Sequence, residues 1–315
     1  VIAALVLLAL CALLRGMSLV RPCLSDDEAT YTVVGREMLA GHALYRDVVD
    51  HKPPAIYVLN AITQAIAGPT GGQVLLHALL ILVVWATALV LAAIARREQS
   101  AVPPPDRGRE PRTSNTPPHP PAVAWIAALL YVVFTTTLVD TDSIAANCEL
   151  FMMLPLAGSV LAFLAGGRRG ELVAGVLVGV AMLFKYQAGI QLPLYGIALI
   201  ARHRRDVLAI ARGALLIGLG TALPIALAVL WLFAIGAWPA AWFWFRFNFS
   251  YIDAGGKRTM LAQMAERQFK AGFALFGLLL FGLRVAPGIF IGAFTATLFL
   301  HFDPKQEQTK TPYPP

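Results

Sequence analysis

Cysteine and charge are both scarce in this sequence, and their scarcity excludes several classes of protein. Only three of the 315 residues are cysteine, and they form neither a CxxC pair nor a His/Cys ligand pattern. Neither a zinc site nor a disulfide framework is therefore indicated. Charged residues make up 14% of the chain, whereas a soluble domain contains roughly a quarter. The composition is not that of a soluble domain.

Apolar residues are abundant and occur in long runs. They make up 58% of the sequence, and the mean hydropathy is +0.68. A membrane helix needs about 20 apolar residues in succession, which buried soluble helices rarely have. The net charge of +7 comes from arginines in short loops rather than from a basic stripe with interleaved aromatics, so no nucleic-acid partner is indicated. We predict an all-α, polytopic integral membrane helix bundle.

The apolar runs predict about nine spans, with short arginine-rich loops on the cytoplasmic side. The predicted spans are 1–20, 73–95, 122–138, 149–165, 171–184, 188–200, 210–235, 273–283 and 287–300. The apolar segment 55–67 has about 13 residues, fewer than the 17 or so that a span requires. We expect it to be interfacial or re-entrant, which places the acidic loop before it outside the membrane and the basic loop after residue 95 inside.

The polar segments predict the domain organisation. Residues 98–121 are rich in proline and small polar residues and are predicted to form a disordered cytoplasmic linker. The aromatic stretch 236–270 is expected to lie against the outer membrane surface. We assign residues 1–301 to one membrane domain and residues 302–315 to a polar tail. Because the sequence begins inside an apolar run, we expect the chain to be a fragment of a longer protein.

The stretch between residues 25 and 57 gathers charge at a membrane boundary. Ser25 and Glu28 have the S-x-x-E spacing of a capping box, which predicts a helix start, and Gly41 is a natural helix end. On this helix of about four turns, Tyr31, Val34 and Met38 share one face. That pattern is typical of a helix lying along the membrane interface.

The same stretch carries four motifs in a fixed order: Asp27-Glu28-Ala29-Thr30-Tyr31, Arg36-Glu37-Met38-Leu39, Gly41 and Lys52-Pro53-Pro54. They resemble the first extracytoplasmic loop of the GT-C type glycosyltransferases, such as the protein O-mannosyltransferases and the aminoarabinose transferases of lipid A. The resemblance covers about a tenth of the chain. One departure is His51, where several relatives have glutamate before the lysine. This puts a metal-binding role of that acid in doubt here.

The resemblance implies a membrane glycosyltransferase that takes a sugar from a polyprenyl phosphate. Its acceptor would be the hydroxyl of a glycan, a lipid or a protein, and a single displacement would invert the anomeric carbon. The enzyme is expected in the plasma (inner) membrane as a multi-pass protein with its active site on the extracytoplasmic face, in contact with membrane lipid. No His, Asp and Glu constellation requires a cofactor, and a divalent metal stays an open alternative.

Two residues carry the expected chemistry, and each has a simpler alternative. Asp27 is the candidate catalytic base, because a carboxylate that takes the acceptor proton is worth about 10²–10⁴ in rate; the alternative is that it only favours the helix N-terminus. Lys52 is the candidate phosphate ligand, stiffened by two prolines. Its alternative is a lysine that extends to the lipid headgroups. Further candidate substrate-binding residues are Glu28, Tyr31, His51, Asp142, Glu149 and Lys185.

Glu149 and Lys185 are candidates because of their position at the ends of apolar runs. Burying an acid at the start of an apolar run costs free energy unless the acid faces a polar cavity or a partner. The simpler alternative is that this polar stretch only begins a helix, with Asn147 as its cap. Lys185 begins a polar cluster at an outer helix end, where it either contacts substrate or anchors the interface. No metal-binding residue is assigned.

Two other functions remain open from the sequence. A transporter or flippase of lipid-linked intermediates would also have polar residues at membrane depth, although transporters usually carry them near the middle of spans or in a repeat. An inactive fragment of a glycosyltransferase is the third alternative.

Overall fold

The computed structural model describes residues 1–20, 23–101, 122–137, 144–204 and 206–254. These residues are almost entirely helical, and no β-strand occurs among them, which confirms the all-α prediction. By length and composition, three helices in these ranges are able to cross a membrane: Ala55–Arg97, Cys148–Ala165 and Val207–Ala234. The count of nine spans stays a prediction. Asp142, most of the linker and the last two predicted spans lie outside the described residues.

Ten α-helices lie in the described ranges. They are α1 (Ile2–Arg15), α2 (Met17–Val20), α3 (Asp26–Leu39), α4 (Ala55–Ala101), α5 (Ala122–Thr137), α6 (Cys148–Ala165), α7 (Gly167–Met182), α8 (Gln191–His203), α9 (Val207–Ala234) and α10 (Trp238–Ala254). A short 3-10 helix, Tyr186–Ile190, joins α7 to α8. The run 1–20 is divided between α1 and α2, and α4 continues four residues into the predicted linker. The chain divides into two units, residues 1–248 and 249–315; the packing below is that of the first.

Helix α3 begins and ends where the sequence predicts. The Ser25 hydroxyl accepts a hydrogen bond from the Glu28 amide at 3.3 Å, and the helix ends at Leu39, shortly before Gly41 with its φ of 96°. The Glu28 carboxylate accepts from the Leu24 amide at 2.7 Å, one residue before the amide that a capping box engages. Of the three residues of the predicted apolar face, Tyr31 and Val34 are buried and Met38 is half-buried.

Helix α4 reverses direction at Gly68, which has φ 75° and ψ 177°. Gln73 Nε2 donates to Asn60 Oδ1 at 3.0 Å, although thirteen residues along a straight helix would separate the two by about 20 Å. A Cβ atom on Gly72 would lie 2.6 Å from the Gln64 Cα. The arms 55–67 and 69–101 of α4 therefore pack side by side as a hairpin, and the interfacial or re-entrant placement of 55–67 stays a prediction.

Helices α7 and α9 are in close backbone contact. A Cβ atom on Gly175 would lie 2.1 Å from the Ile217 carbonyl oxygen, and one on Gly220 would lie 2.3 Å from that of Leu172. The Thr221 hydroxyl donates to the Gly175 carbonyl at 3.1 Å. Small residues of this kind allow membrane helices to approach closely. Because α6 and α7 are joined by a tight turn at Gly166, the start of α6 and the end of α7 lie at the same end of this packed group.

Candidate functional site

Asp27, Tyr31 and Lys52 form one contact group. Asp27 and Tyr31 are four residues apart on α3, so they lie on the same face of the helix. The Lys52 ammonium donates to the Asp27 carboxylate and to the Tyr31 hydroxyl, and the Tyr31 hydroxyl donates to Asp27 Oδ2 at 3.2 Å. The ammonium also lies 4.7 Å from the centre of the Tyr31 ring. The predicted acid and the predicted anion ligand are therefore direct neighbours.

The loop between α3 and α4 fixes Lys52 through its backbone. The Tyr45 hydroxyl donates to the Lys52 carbonyl at 2.6 Å, and the Tyr45 amide donates to the Val48 carbonyl at 2.8 Å. Beyond the two prolines, the Ala55 amide donates to the Leu183 carbonyl at 3.0 Å. The lysine is thus tied on one side to its own loop and on the other to the end of α7.

The site is partly buried, and this determines the charges of its groups. The Lys52 and Asp27 side chains are 16% and 21% exposed. Burial favours the neutral amine of Lys52, but its interactions with Cys148, Asp27 and Glu149 outweigh burial and raise its pKa above the usual value. Burial raises the pKa of the Tyr31 hydroxyl. At neutral pH the site therefore contains an ammonium ion and a neutral phenol.

A second ion pair lies beside the first. The Lys185 ammonium donates to the Glu149 carboxylate, and the two side chains are 14% and 19% exposed. The groups are connected through Cys148, whose thiol donates to the Tyr31 hydroxyl at 3.5 Å. Asn147 is the N-cap residue of α6 by position, but its side chain makes no capping hydrogen bond. Two acids and two lysines thus give the group no net charge.

Glu28 is buried in the interior and does not belong to the contact group of Asp27, Tyr31 and Lys52. Its side chain is 1% exposed, and its two oxygens accept from the Leu24 amide at 2.7 Å and from the Ala146 amide at 2.5 Å. The buried His77 ring brings Nε2 within 2.8 Å of Glu28 Oε1, outside hydrogen-bond alignment. Glu28 was predicted to bind substrate, but both of its carboxylate oxygens accept hydrogen bonds from backbone amides.

His51 lies next to Lys52 at the edge of the site and contacts Asp50. Its Nδ1 is 3.0 Å from Asp50 Oδ1, and its side chain is 31% exposed. Burial raises the pKa of Asp50, but hydrogen bonds from His51 and other groups outweigh it and lower the value. Asp142, the remaining predicted residue, lies outside the described residues.

Sequence reasoning missed Arg15 and Tyr45. Arg15 is the one charged residue of the run 1–20, and such a charge is a recognisable sign of a functional or structural site. It is 1% exposed, with its guanidinium donating to the Ile144 carbonyl at 2.9 Å. Tyr45 has no comparable signal, because its role depends on a φ of 70° that orients its hydroxyl toward Lys52.

The described residues include all three cysteines and several potential metal ligands. All three cysteines are free thiols, with Cys11 and Cys148 buried and Cys23 exposed. Within the described ranges, no cluster of three or more His, Cys, Asp or Glu side chains has the arrangement of a metal site. The divalent metal that the sequence left open therefore has no ligand set in this part of the chain.

The arrangement supports two kinds of chemistry. A partly buried carboxylate can accept a proton, and an ammonium beside it can bind an anion. None of the protein-family models, curated proteins or solved structures compared with this chain matches it. The function is therefore inferred from the site geometry and the sequence motif.

Proposed function

We propose that this protein is a membrane glycosyltransferase that moves a sugar from a polyprenyl-phosphate donor to a hydroxyl of a glycan, a lipid or a protein. Its active site would face the extracytoplasmic side of the plasma membrane. The observation that carries the proposal is the direct contact of Asp27 with Lys52. These residues lie 25 positions apart and are the two groups to which the motif resemblance assigns the proton transfer and the phosphate contact.

In the proposed reaction the acceptor oxygen attacks the anomeric carbon of the donor sugar. The bond between this carbon and the phosphate oxygen breaks, and polyprenyl phosphate leaves with the bonding electrons. The acceptor hydroxyl proton passes to the Asp27 carboxylate as the new bond forms. One displacement of this kind inverts the anomeric centre.

Lys52 would stabilise the leaving phosphate. An ammonium group has three N–H donors, and two of them engage Asp27 and Tyr31, which leaves one for a phosphate oxygen. Charge-assisted hydrogen bonds to phosphate are among the strongest that a side chain makes. Because its pKa is raised, Lys52 keeps its charge throughout the physiological range.

The test compares sugar transfer by the wild type, Asp27→Asn and Asp26→Asn in membranes, with a radiolabelled polyprenyl-phosphate sugar as donor. Asp26 is the exposed neighbour of Asp27 and provides a matched control. We expect Asp27→Asn to lower kcat by about 10²–10⁴, the range for loss of a general base. Asp26→Asn should change kcat by less than about twofold, since exposed substitutions away from a site have small effects. Equal transfer by Asp27→Asn and the wild type would refute the assignment of the base.

One observation favours a transporter or flippase as the second candidate. Helix α4 is interrupted at Gly68, and Asn60, Gln64 and Gln73 are buried along its two arms. Transporters commonly place interrupted helices and polar groups at membrane depth. Movement of the labelled lipid across vesicles, without sugar transfer by the wild type, would support this candidate over the enzyme.

A further inference from the structure

The segment 144–146 is attached to the rest of the protein at both ends by buried charges. The Arg15 guanidinium, on α1, donates to the Ile144 carbonyl at 2.9 Å and to the Thr135 carbonyl of α5 at 3.4 Å. The Glu28 carboxylate, on α3, accepts from the Ala146 amide at 2.5 Å. Three helices are thereby joined to the residues that come directly before α6.

Burial makes these contacts strong and specific. Arg15 and Glu28 are each 1% exposed, and removing a hydrogen-bond partner from a buried charged group is costly. Hydrogen bonds that involve an ionised partner are roughly twice as strong as neutral ones. Arg15 also lies at the C-terminal end of α5, where a cation is favoured by the helix dipole. Removing either charge would release one end of the segment.

The segment determines where the second ion pair lies relative to the first. Cys148 and Glu149 are the first two residues of α6, only two and three positions beyond Ala146. Cys148 contacts Tyr31, and Glu149 is paired with Lys185. Glu28 is adjacent to Asp27 on α3. The position of the Glu149 pair beside Asp27 and Lys52 therefore depends on the contacts of Arg15 and Glu28 with the backbone.

We propose that Arg15 and Glu28 are positioning residues that hold the start of α6, with Cys148 and Glu149, against Asp27 and Lys52. The proposal rests on the proposed function for its catalytic consequence. Neither residue touches the substrate; each acts through the backbone of 144–146. A displacement of about 1 Å in a catalytic group can lower a rate by about 100-fold.

The kinetic test uses Arg15→Met, Arg15→Lys and Glu28→Gln, with the exposed Arg168→Met as control. Arg15→Met should lower kcat for sugar transfer by about 100-fold while the KM for the donor changes by less than about threefold, because Lys52 is unaltered. Arg15→Lys, which keeps the charge and can reach one carbonyl, should recover much of the loss. Glu28→Gln loses one of two backbone contacts and should fall between the wild type and Arg15→Met.

A second measurement does not depend on catalysis. The reaction of the buried Cys148 thiol with a maleimide is followed by mass spectrometry of its peptide, with the exposed Cys23 as internal reference for the reactivity of the reagent. Arg15→Met should increase the Cys148 rate at least about tenfold, since reaction of a buried thiol follows local opening. Arg168→Met should leave it unchanged. This reporter keeps the proposal testable for a variant too unstable to assay.

The outcomes separate the possibilities. An unchanged Cys148 rate in Arg15→Met would overturn the proposal, as would a lower melting temperature with unaltered kcat, which indicates a purely structural role. A rise in donor KM with constant kcat would overturn it by placing Arg15 on the substrate. If the wild type transfers no sugar, the proposed function fails. In that case faster Cys148 labelling in Arg15→Met would still support the positioning role.

Discussion

At the scale of single residues, the central feature of the site is that Lys52 contacts both Asp27 and Tyr31. The ammonium lies between the Asp27 carboxylate and the Tyr31 hydroxyl, so the group assigned to the phosphate also neutralises the group assigned to the proton. Tyr31 keeps its proton because burial raises its pKa, and it connects the pair to Cys148. The chemistry of each residue here depends on its neighbours.

Lys52 should give stability a specific dependence on alkaline pH. Its pKa in the folded protein is raised, whereas in the unfolded chain it is about 10.4. Protonated Lys52 therefore stabilises the fold fully below about pH 10.4, and this contribution is lost as the pH rises through the folded-state pKa. We expect the difference in free energy of unfolding between wild type and Lys52→Met to be constant from pH 7 to about 10 and to decrease above that.

Denaturant or thermal unfolding in detergent, repeated across this pH range, measures the difference. Lys52→Arg is the matched control, because arginine stays charged at every pH of the series. Its stability relative to Lys52→Met should show no such decrease. The series extends to about pH 11.5, beyond the unfolded lysine pKa of about 10.4. If the free energies of unfolding of the wild type and Lys52→Arg change in parallel over this range, the ion pair is weaker than its surroundings indicate.

At the scale of helices, the reversal of α4 decides what α3 packs against. The short arm of α4 carries Asn60 and Gln64, which contact the long arm and α3: Gln64 Nε2 donates to the Thr32 carbonyl at 3.0 Å. A Cβ atom on Gly35 of α3 would lie 2.9 Å from the Ala61 amide nitrogen. The reversal thus supplies the surface on which the helix of Asp27 lies.

Gly68→Ala should destabilise the protein. The backbone at Gly68, with φ 75° and ψ 177°, lies in a region that is essentially restricted to glycine and costs other residues about 1–3 kcal/mol. Gly196→Ala in α8 is the control, because no atom lies within 4 Å of its added Cβ. It should be neutral or stabilising by about 0.5–1 kcal/mol. Melting curves in detergent distinguish the two, and equal melting temperatures would contradict the reversal at Gly68.

At the scale of the whole molecule, the surface of α9 indicates association with a membrane. Leu215, Leu219, Leu223, Leu227 and Leu230 on this helix are between 55% and 63% exposed. Each Å² of apolar surface costs about 25 cal/mol in water, so a row of leucines along 28 residues is favourable in lipid. Together with the other two apolar helices of spanning length, this supports a membrane protein.

Thiol labelling in intact cells tests the orientation of the first loop. Cys23 is exposed and precedes α3, so an impermeant reagent added from outside should label it when this loop is extracytoplasmic. Position 108, outside the described residues, belongs to the basic loop predicted to stay in the cytoplasm. In a Cys23→Ser chain, Gly108→Cys should react only after permeabilisation. Labelling of Cys148 and Cys11, both buried, should remain low throughout.

The reverse pattern, with position 108 labelled from outside and Cys23 protected, would place the first loop in the cytoplasm. The site could then not use a donor presented at the outer membrane surface, and the proposed function would fail with it.

Several local features were predictable because they depend on residues close together in the chain. The spacing of Ser25 and Glu28 predicted the start of α3, and Gly41 predicted its end. The bounds of α6 were predicted within one residue. Composition predicted the all-α class, since long apolar runs bury their backbone polar groups most readily as helices.

The motif also singled out Asp27 and Lys52, which are in contact, but it did not assign an orientation to each of its residues. Glu28 is adjacent to Asp27 in sequence, yet successive helical residues point about 100° apart, so Glu28 faces the interior whereas Asp27 faces Lys52. Only the packing of α3 against the rest of the protein shows which of the two carboxylates is buried.

Sequence alone thus determined that this chain is helical, apolar enough for a membrane, and equipped with an acid and a lysine in one loop. The tertiary structure decided that Glu149 and Lys185 join them and that Arg15 secures the segment before α6. The reason is distance along the chain. Caps, breaks and apolar runs depend on neighbours within a few residues, whereas the contacts of Arg15 with Ile144 and of Lys185 with Glu149 span 129 and 36 positions and exist only after the helices have packed.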